Sequence, residues 1–278
     1  MKTIYTLANL KIELDALLEK NKKIGLVPTM GALHNGHASL VSKAKTENDV
    51  VLTTIFVNPT QFNNPEDLNK YPRKEEEDKK LLEEIGCDIL FMPNTEEIYQ
   101  DYEFPGIELG KLDTIMEGKQ RPGHFLGVCQ IVYRLFQITK PTNSYFGLKD
   151  FQQVAVIRYM SKFFNLPIKI VACDTVREEN GLAMSSRNLR LNDTEKEDAI
   201  ILFKTLKFIQ NNYKNYTPNQ LKLDAIHFFN QGNLSLEYLE IVNPETLEQL
   251  NETWVEGSIA CIVASAGDIR LIDNMKIN

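Results

Sequence analysis

Pro28-Thr29-Met30-Gly31-Ala32-Leu33-His34-Asn35-Gly36-His37 joins a short apolar stretch to an amphipathic one, and the junction decides the fold. Before it, Lys22-Lys23-Ile24-Gly25-Leu26-Val27 reads as a buried strand. After it, Ala38 to Ala44 reads as a helix with Leu40, Val41 and Ala44 on one face. Gly31 and Gly36 lack a Cβ, so the chain can turn sharply there and approach a ligand closely. A helix start carries unpaired N–H groups and the positive end of the helix dipole, and together these favour an anion. His34 and His37 are three residues apart, so both can face that anion from the first helical turn.

An imidazole beside a triphosphate can donate to phosphate oxygens and stabilise charge that develops during displacement. Two other readings compete. The histidines can be ordinary helix-start residues, or half of a metal site. Zinc asks for three or four ligands, and the chain has no CxxC or HExxH spacing to supply them. Paired histidines together with paired glycines at a strand–helix junction favour phosphate, and no protein metal site is assigned.

Outward from this turn, β and α segments alternate. Val50 to Val57 is a β-branched run, Arg73 to Ile85 a charged helix with Leu81, Leu82 and Ile85 on its apolar face, and Asp88 to Phe91 a strand stopped by Pro93. Phe125 to Thr139 reads as a helix, Ser144 to Phe146 as a strand, Phe151 to Phe164 as a helix and Ile168 to Ala172 as a strand. The alternation predicts a Rossmann-like, doubly wound parallel sheet of the α/β class. In such a sheet ligands sit at the carboxyl ends of the strands, and Thr29, Asn58, Gly147 and Val176 each follow a strand candidate. The acidic and basic run Arg73 to Lys80 reads as a solvated helix face.

Past Val176 the βαβ regularity ends. A helix starts near Thr194; Lys204 to Tyr213 and Leu221 to Phe229 read as helices, Glu237 to Val242 and Ile259 to Ala264 as strands. Residues 1–176 are therefore expected to form the nucleotide-binding domain, and residues 177–278 a smaller C-terminal α+β domain covering the site.

Composition sets the bounds. The chain has 278 residues, 43% hydrophobic and 25% charged, enough for one large or two modest cores of an ordinary globular kind. A net charge of −7 speaks against a general nucleic-acid surface. Cys87, Cys129, Cys173 and Cys261 match no disulfide or zinc spacing and read as small core residues in a reducing compartment. With no secretory apolar segment and no stretch of about 18 apolar residues, the expected location is the cytoplasm, without a membrane partner.

Several further segments carry chemistry, each beside a plainer reading. Lys149, after Phe146-Gly147-Leu148, can neutralise phosphate charge; alternatively Lys149-Asp150 is a surface pair opening a helix. Met184-Ser185-Ser186-Arg187 offers hydroxyls and a guanidinium that can grip two oxygens, although Ser-Ser-Arg is also common in inert loops. Gln61 and Gln153 can hydrogen-bond a small hydroxy acid, or can merely cap and solvate. Pro28, Met30, Phe62 and Val132 can line an apolar wall, with core packing an equal account of Val132. Arg121-Pro122-Gly123-His124-Phe125 reads equally as a functional segment or a structural turn, and His227 as structural or exposed.

The stretch His34-Asn35-Gly36-His37 resembles the HxGH signature of the nucleotidylyltransferase superfamily, whose relatives include class I aminoacyl-tRNA synthetases. With Pro28 to Gly31 in front, it is similar to the pantoate–β-alanine ligase family. Phe56-Val57-Asn58-Pro59-Thr60-Gln61-Phe62, Arg121 to Phe125, Phe146 to Gln153, Met184 to Asn188 and Arg270-Leu271-Ile272-Asp273-Asn274 match that family in order. The resemblance implies condensation of (R)-pantoate with β-alanine through a pantoyl adenylate, with ATP as co-substrate carrying Mg²⁺, in a homodimer. It implies that His37, His34 and Lys149 are catalytic, with His37 foremost. It implies that ATP meets Met30, Gly31, Ala32, Leu33, His34, Asn35, Gly36, His37, Gly147, Leu148, Lys149, Asp150, Val176, Met184, Ser185, Ser186 and Arg187. It implies that Gln61 and Gln153 hold pantoate, Gln61 also lying near β-alanine. Two other classes fit the residues less well. A nucleotidylyltransferase would share the turn but leaves Gln61, Gln153 and the second domain unexplained, and a non-catalytic nucleotide sensor should have lost the charged groups that this chain keeps.

Overall fold

The computed structural model describes residues 1–278. In chain order the elements are β1 (Lys2–Ile4), α1 (Leu7–Glu19), β2 (Ile24–Thr29), α2 (Asn35–Glu47), β3 (Val50–Ile55), α3 (Pro65–Lys70), α4 (Glu75–Glu84), β4 (Ile89–Phe91) and α5 (Thr95–Tyr99). They continue with α6 (Met116–Gln120), α7 (His124–Thr139), β5 (Asn143–Gly147), α8 (Phe151–Phe163) and β6 (Lys169–Cys173). The chain ends with α9 (Asp193–Asn212), α10 (Pro218–Phe229), β7 (Ser235–Val242), β8 (Ile259–Ala266) and β9 (Ile269–Lys276).

Two compact units form: residues 1–147 with 153–174, and residues 148–152 with 175–278. The expected boundary at 176 does not anticipate the placing of 148–152. That segment groups with the second unit because the Asn274 side chain of β9 donates to the carbonyls of Leu148 and Lys149.

In the first unit six parallel strands follow the order β1-β4-β3-β2-β5-β6. The chain winds outward from β2 through β3 to β4, then returns to place β5 on the other flank of β2. The reversal falls between β2 and β5, and a doubly wound sheet binds ligands at the carboxyl ends of the strands at such a point. Strand β2 is buried along nearly its whole length, as a central parallel strand must be when helices cover both faces. Helix α7 supplies a long apolar face, with Phe125, Val128, Cys129, Ile131, Val132, Leu135 and Phe136 all buried in the main core. Val132 is thus a core residue.

The second unit has a three-stranded antiparallel sheet, β7-β8-β9, packed with α9 and α10 around Leu202, Leu206, Ile209, Leu221, Phe229 and Ile262. Helix α9 is one 20-residue helix rather than a separate start near Thr194 and a segment from Lys204. It begins at Asp193 because Asn192 accepts from the N–H of Glu195 while the Glu195 carboxylate accepts from the N–H of Asn192.

Strands β1 and β9 and helix α1 extend the sequence reading. β1 is three residues long, too short for a period-2 pattern to register. β9 alternates, but its interior carries Arg270, Asp273 and Asn274, polar residues with structural partners.

One contact ties α7 to the functional edge of the sheet. A Cβ at Gly127 would lie 2.3 Å from the carbonyl oxygen of Thr60, so only glycine lets α7 approach the 3-10 turn Pro59–Gln61. Gly127→Ala is expected to lower stability by about 1–3 kcal/mol through overpacking, despite the better helix propensity of alanine. Urea denaturation checks it, with the exposed Leu126→Ala as the neutral control.

Candidate active site

In the first unit the site grows from the turn between β2 and α2. Thr29, the last residue of β2, donates its hydroxyl to the carbonyl of Thr54 at 2.7 Å and accepts from the N–H of Gly31 at 3.3 Å. Gly31 and Ala32 both have positive φ, 80° and 49°, so the chain makes its turn in the left-handed region. Successive N–H groups in such a turn form a concavity that binds an anion. Here the protein supplies that anion itself. The carboxylate of Asp78, on α4, accepts from Ala32 N–H at 2.8 Å and from Leu33 N–H at 2.7 Å.

Asp78 is 2% exposed, in the middle of a run whose sequence predicts a solvated face. That reading holds for Glu75, Glu76 and Glu77, which are exposed, and fails at Asp78. The signal lies in the spacing. Asp78, Leu82 and Ile85 stand at i, i+4 and i+7, which puts the carboxylate on the buried apolar face. Burial pushes the Asp78 carboxyl above its usual range, and the two main-chain N–H groups pull in the opposite direction.

The histidines are bound into the helix start. Gly36 N–H donates to Nδ1 of His34 at 3.1 Å, and His34 N–H donates to Nδ1 of His37 at 3.3 Å. This is a reciprocal cap built from two imidazoles, whose centroids lie 4.1 Å apart. A neutral imidazole that accepts at Nδ1 carries its proton on Nε2. In their neutral form both rings therefore carry the proton on Nε2. The main-chain N–H groups of the turn are largely taken up internally.

A second cluster lies beyond β3. Asn58 is 1% exposed and its Oδ1 accepts from Thr60 N–H, the Thr60 hydroxyl and the Tyr99 hydroxyl, the last at 2.6 Å. That leaves Nδ2 to donate, to Gln61 Oε1 at 3.1 Å and to the Gly127 carbonyl at 3.2 Å. The Gln61 amide is consequently oriented with Nε2 toward the Met30 sulfur, 3.2 Å away. Gln61 and Met30 are thus brought together. His124 Nδ1 donates to the Gln61 carbonyl at 2.8 Å, and Arg121 Nη1 donates to His124 Nε2 at 3.2 Å. The Arg121–His124 segment therefore holds the main chain of Gln61. Gln153, in the first turn of α8, is half-buried. Phe62 packs edge-on against Tyr71.

In the second unit Val176 and Met184 are joined by the Met184 N–H to Val176 carbonyl bond at 3.0 Å. Ser185 caps the 3-10 turn Ser186–Arg190, accepting from Arg187 N–H at 3.3 Å. Ser186 is buried and Arg187 half-buried. Lys149 and Leu148 sit in the 3-10 turn Leu148–Asp150, with Asp150 exposed. Tyr99, Asp78, Arg177, Asp273 and Asn274 carry no individual role on sequence alone. Nothing local marks Tyr99 or Asn274, whose partners are 41 and more than 100 residues away. No group of three or more His, Cys, Asp or Glu side chains is arranged to hold a metal ion. No helix is long and apolar enough to cross a membrane.

A strand, an HxGH turn and a capped helix at the switch point of a doubly wound parallel sheet define a nucleotide-handling site of the HxGH kind. The family profile of the pantoate–β-alanine ligases matches residues 2–276, and the chain belongs to that family. It is 48% identical over 281 residues to a pantothenate synthetase of Cytophaga hutchinsonii, covering 100% of this chain and 99% of the relative. It is 49% identical over 283 residues to that of Phocaeicola vulgatus, covering 99% of each. Among solved structures, a pantothenate synthetase from Thermus thermophilus superposes with a TM-score of 0.94 at 38% identity, covering 100% of this chain and 99% of that one. A pantoate–β-alanine ligase from Francisella tularensis, complexed with β-γ ATP and β-alanine, gives a TM-score of 0.83 at 39% identity, with coverage of 99% and 97%.

Because burial raises the Asp78 carboxyl, its folded value lies above the unfolded one near 3.8. The folded state then binds the proton more tightly, and stability falls as pH rises from the unfolded value through the folded one. The stability of the wild type minus that of Asp78→Asn should therefore decrease as pH rises through that window and level off above it. Denaturation titrations checking this would show the opposite slope if the two N–H donors outweighed desolvation.

Proposed function

We propose that the protein joins (R)-pantoate to β-alanine, consuming ATP and yielding pantothenate, AMP and diphosphate through pantoyl adenylate. The observation that carries this reading is the family match along residues 2–276, in a chain whose HxGH turn stands at the switch point of the sheet. In the first step a pantoate carboxylate oxygen attacks the α-phosphorus and the bond to the β-phosphate oxygen breaks, releasing diphosphate. In the second the β-alanine amine attacks the acyl carbon, the bond to AMP breaks and the amine gives up a proton. Splitting the reaction converts a carboxylate oxygen, a poor leaving group, into AMP, a good one.

The residues contribute positioning and charge stabilisation. His34 and His37 donate from Nε2 to phosphate oxygens, with their Nδ1 atoms committed to the helix start. In this assignment His37 stabilises the charge gathering on the α-phosphate, and its capped Nδ1 disfavours a proton-shuttle role. Ala32 and Leu33 line the turn, and contacts they make to ATP use atoms other than their N–H groups, which Asp78 holds. Lys149, Ser185, Ser186 and Arg187 are assigned to the triphosphate, and Met30, Gly31, Asn35, Gly36, Gly147, Leu148, Asp150, Val176 and Met184 to ATP. Gln61 offers an oriented donor to pantoate, and Gln153 is assigned to the same substrate.

Mg²⁺ is proposed to arrive with the nucleotide, where it would offset phosphate charge, and no side chain of this protein is assigned to hold it. Mg²⁺ commonly keeps water and substrate phosphates as ligands rather than a full protein cage. A homodimer and a cytoplasmic location complete the reading; the four cysteines, all buried and in no disulfide, are compatible with a reducing compartment.

Chromatography of the nucleotides formed from ATP, Mg²⁺ and pantoate, with and without β-alanine, tests the reaction. AMP and diphosphate formed in step with pantothenate support it, and ADP would refute attack at the α-phosphorus. His37→Ala should lower adenylate formation by about 10²–10³, the cost of losing one preorganised donor. His37→Gln, whose amide N–H can stand in for Nε2–H, should recover part of the loss in single-turnover assays; equal inactivity of both would argue for proton transfer.

A further inference from the structure

The Arg270–Asn274 segment is absorbed by none of the roles above, yet Asp273 and Asn274 belong to a connected polar cluster of the second unit. Asn274 lies in β9, opposite Cys261 of β8, and is buried. Its Nδ2 donates to two successive carbonyls, of Leu148 at 2.9 Å and of Lys149 at 2.8 Å. Both protons of the amide are so used, on a 3-10 turn only three residues long. So short a turn has little hydrogen bonding of its own to fix its geometry. Pinning two adjacent carbonyls fixes the peptide planes on either side of the Lys149 Cα, and with them the direction in which its side chain leaves the backbone.

Asn274 is itself held through its main chain. Its N–H donates to Asp273 Oδ1 at 2.7 Å, and its carbonyl accepts from Arg177 Nη2 at 3.1 Å. Arg177 closes the cluster with a two-pronged ion pair to Asp273, at 2.6 and 3.0 Å, and also donates to the Gly181 carbonyl at 3.0 Å. The guanidinium lies over the ring of Phe203, 4.9 Å from its centroid. That same ring would meet a Cβ on Gly181 at 2.1 Å, so glycine there is a packing requirement. The Asp273 oxygens are thereby occupied by Arg177 and the Asn274 N–H. Lys149 is near enough for its charge to act on Asp273, but no ion pair joins them, and its ammonium stays available to an anion.

We propose that Asn274 is a positioning residue for Lys149: it orients the turn that carries the lysine, while the Arg177–Asp273 pair holds Asn274 in place and keeps Asp273 from capturing the ammonium. The proposal rests on the assignment of Lys149 to the ATP phosphates.

The test is the affinity for ATP alone, by isothermal titration calorimetry, of the full-length wild type, Asn274→Ala, Lys149→Ala and the double variant. A charge-assisted contact predicts that Lys149→Ala weakens ATP binding by about tenfold or more. Asn274→Ala should weaken it by about tenfold, and should add nothing in the Lys149→Ala background, because its effect passes through that side chain. Asn274→Ser, which keeps one donor, should fall between wild type and Asn274→Ala and serves where the alanine variant folds poorly. Equal losses from Asn274→Ala with and without the Lys149 side chain would overturn the proposal and leave Asn274 a purely structural residue. Unchanged affinity in Lys149→Ala would instead overturn the assignment of Lys149, and the proposal with it.

Discussion

The carboxylate of Asp78, accepting from the N–H groups of Ala32 and Leu33, is the interaction on which the HxGH turn depends. A buried carboxylate costs several kcal/mol unless its lone pairs are filled. Each main-chain N–H bonded to a charged acceptor returns about 1.5–3 kcal/mol. Two such bonds make the site tolerable for aspartate and specific for it, since an amide would set an NH₂ against one of the two donors. The left-handed turn at Gly31 and Ala32 aims both N–H groups the same way, and Asp78 converts that geometry into a fixed conformation. The anion concavity of the turn is thereby filled from within.

Side-chain amides do the corresponding work elsewhere. Asn58 gathers three donors on its oxygen and so turns its NH₂ toward Gln61. Burial pushes the Tyr99 phenol up, which keeps one of those three a donor. Asn274 uses its NH₂ on two carbonyls while its own main chain is fixed by Arg177 and Asp273. An amide can read polarity at both ends, whereas a carboxylate or an ammonium reads only one. In both units the assigned contact residues are oriented by buried polar groups that need not meet substrate, as a preorganised site requires.

What the sequence disclosed was what local pattern encodes. The apolar β2, the glycine- and histidine-bearing turn, the amphipathic helices and the αβ alternation are all nearest-neighbour features, and the parallel sheet follows from them. The partners of those features were less legible. Asp78 sits 46 residues from Ala32 in a run of charge, and only its heptad-like spacing to Leu82 and Ile85 separates it from its solvated neighbours. Arg177 lies 96 residues from Asp273, and the meaning of Arg177, Asp273 and Asn274 exists only once β9 is paired beside β8. Arg121 and His124, evenly balanced between a structural and a functional reading, hold the backbone of Gln61.

If the turn fixes both imidazoles as Nε2–H donors, the protonation of the two rings must show it. Long-range ¹H–¹⁵N correlation spectra of the histidine rings, recorded at mildly alkaline pH and assigned with His34→Gln and His37→Gln, measure this directly. The Nε2–H tautomer is expected at both positions. A proton on Nδ1 of either ring, or a rapidly exchanging mixture of the two forms, would contradict it.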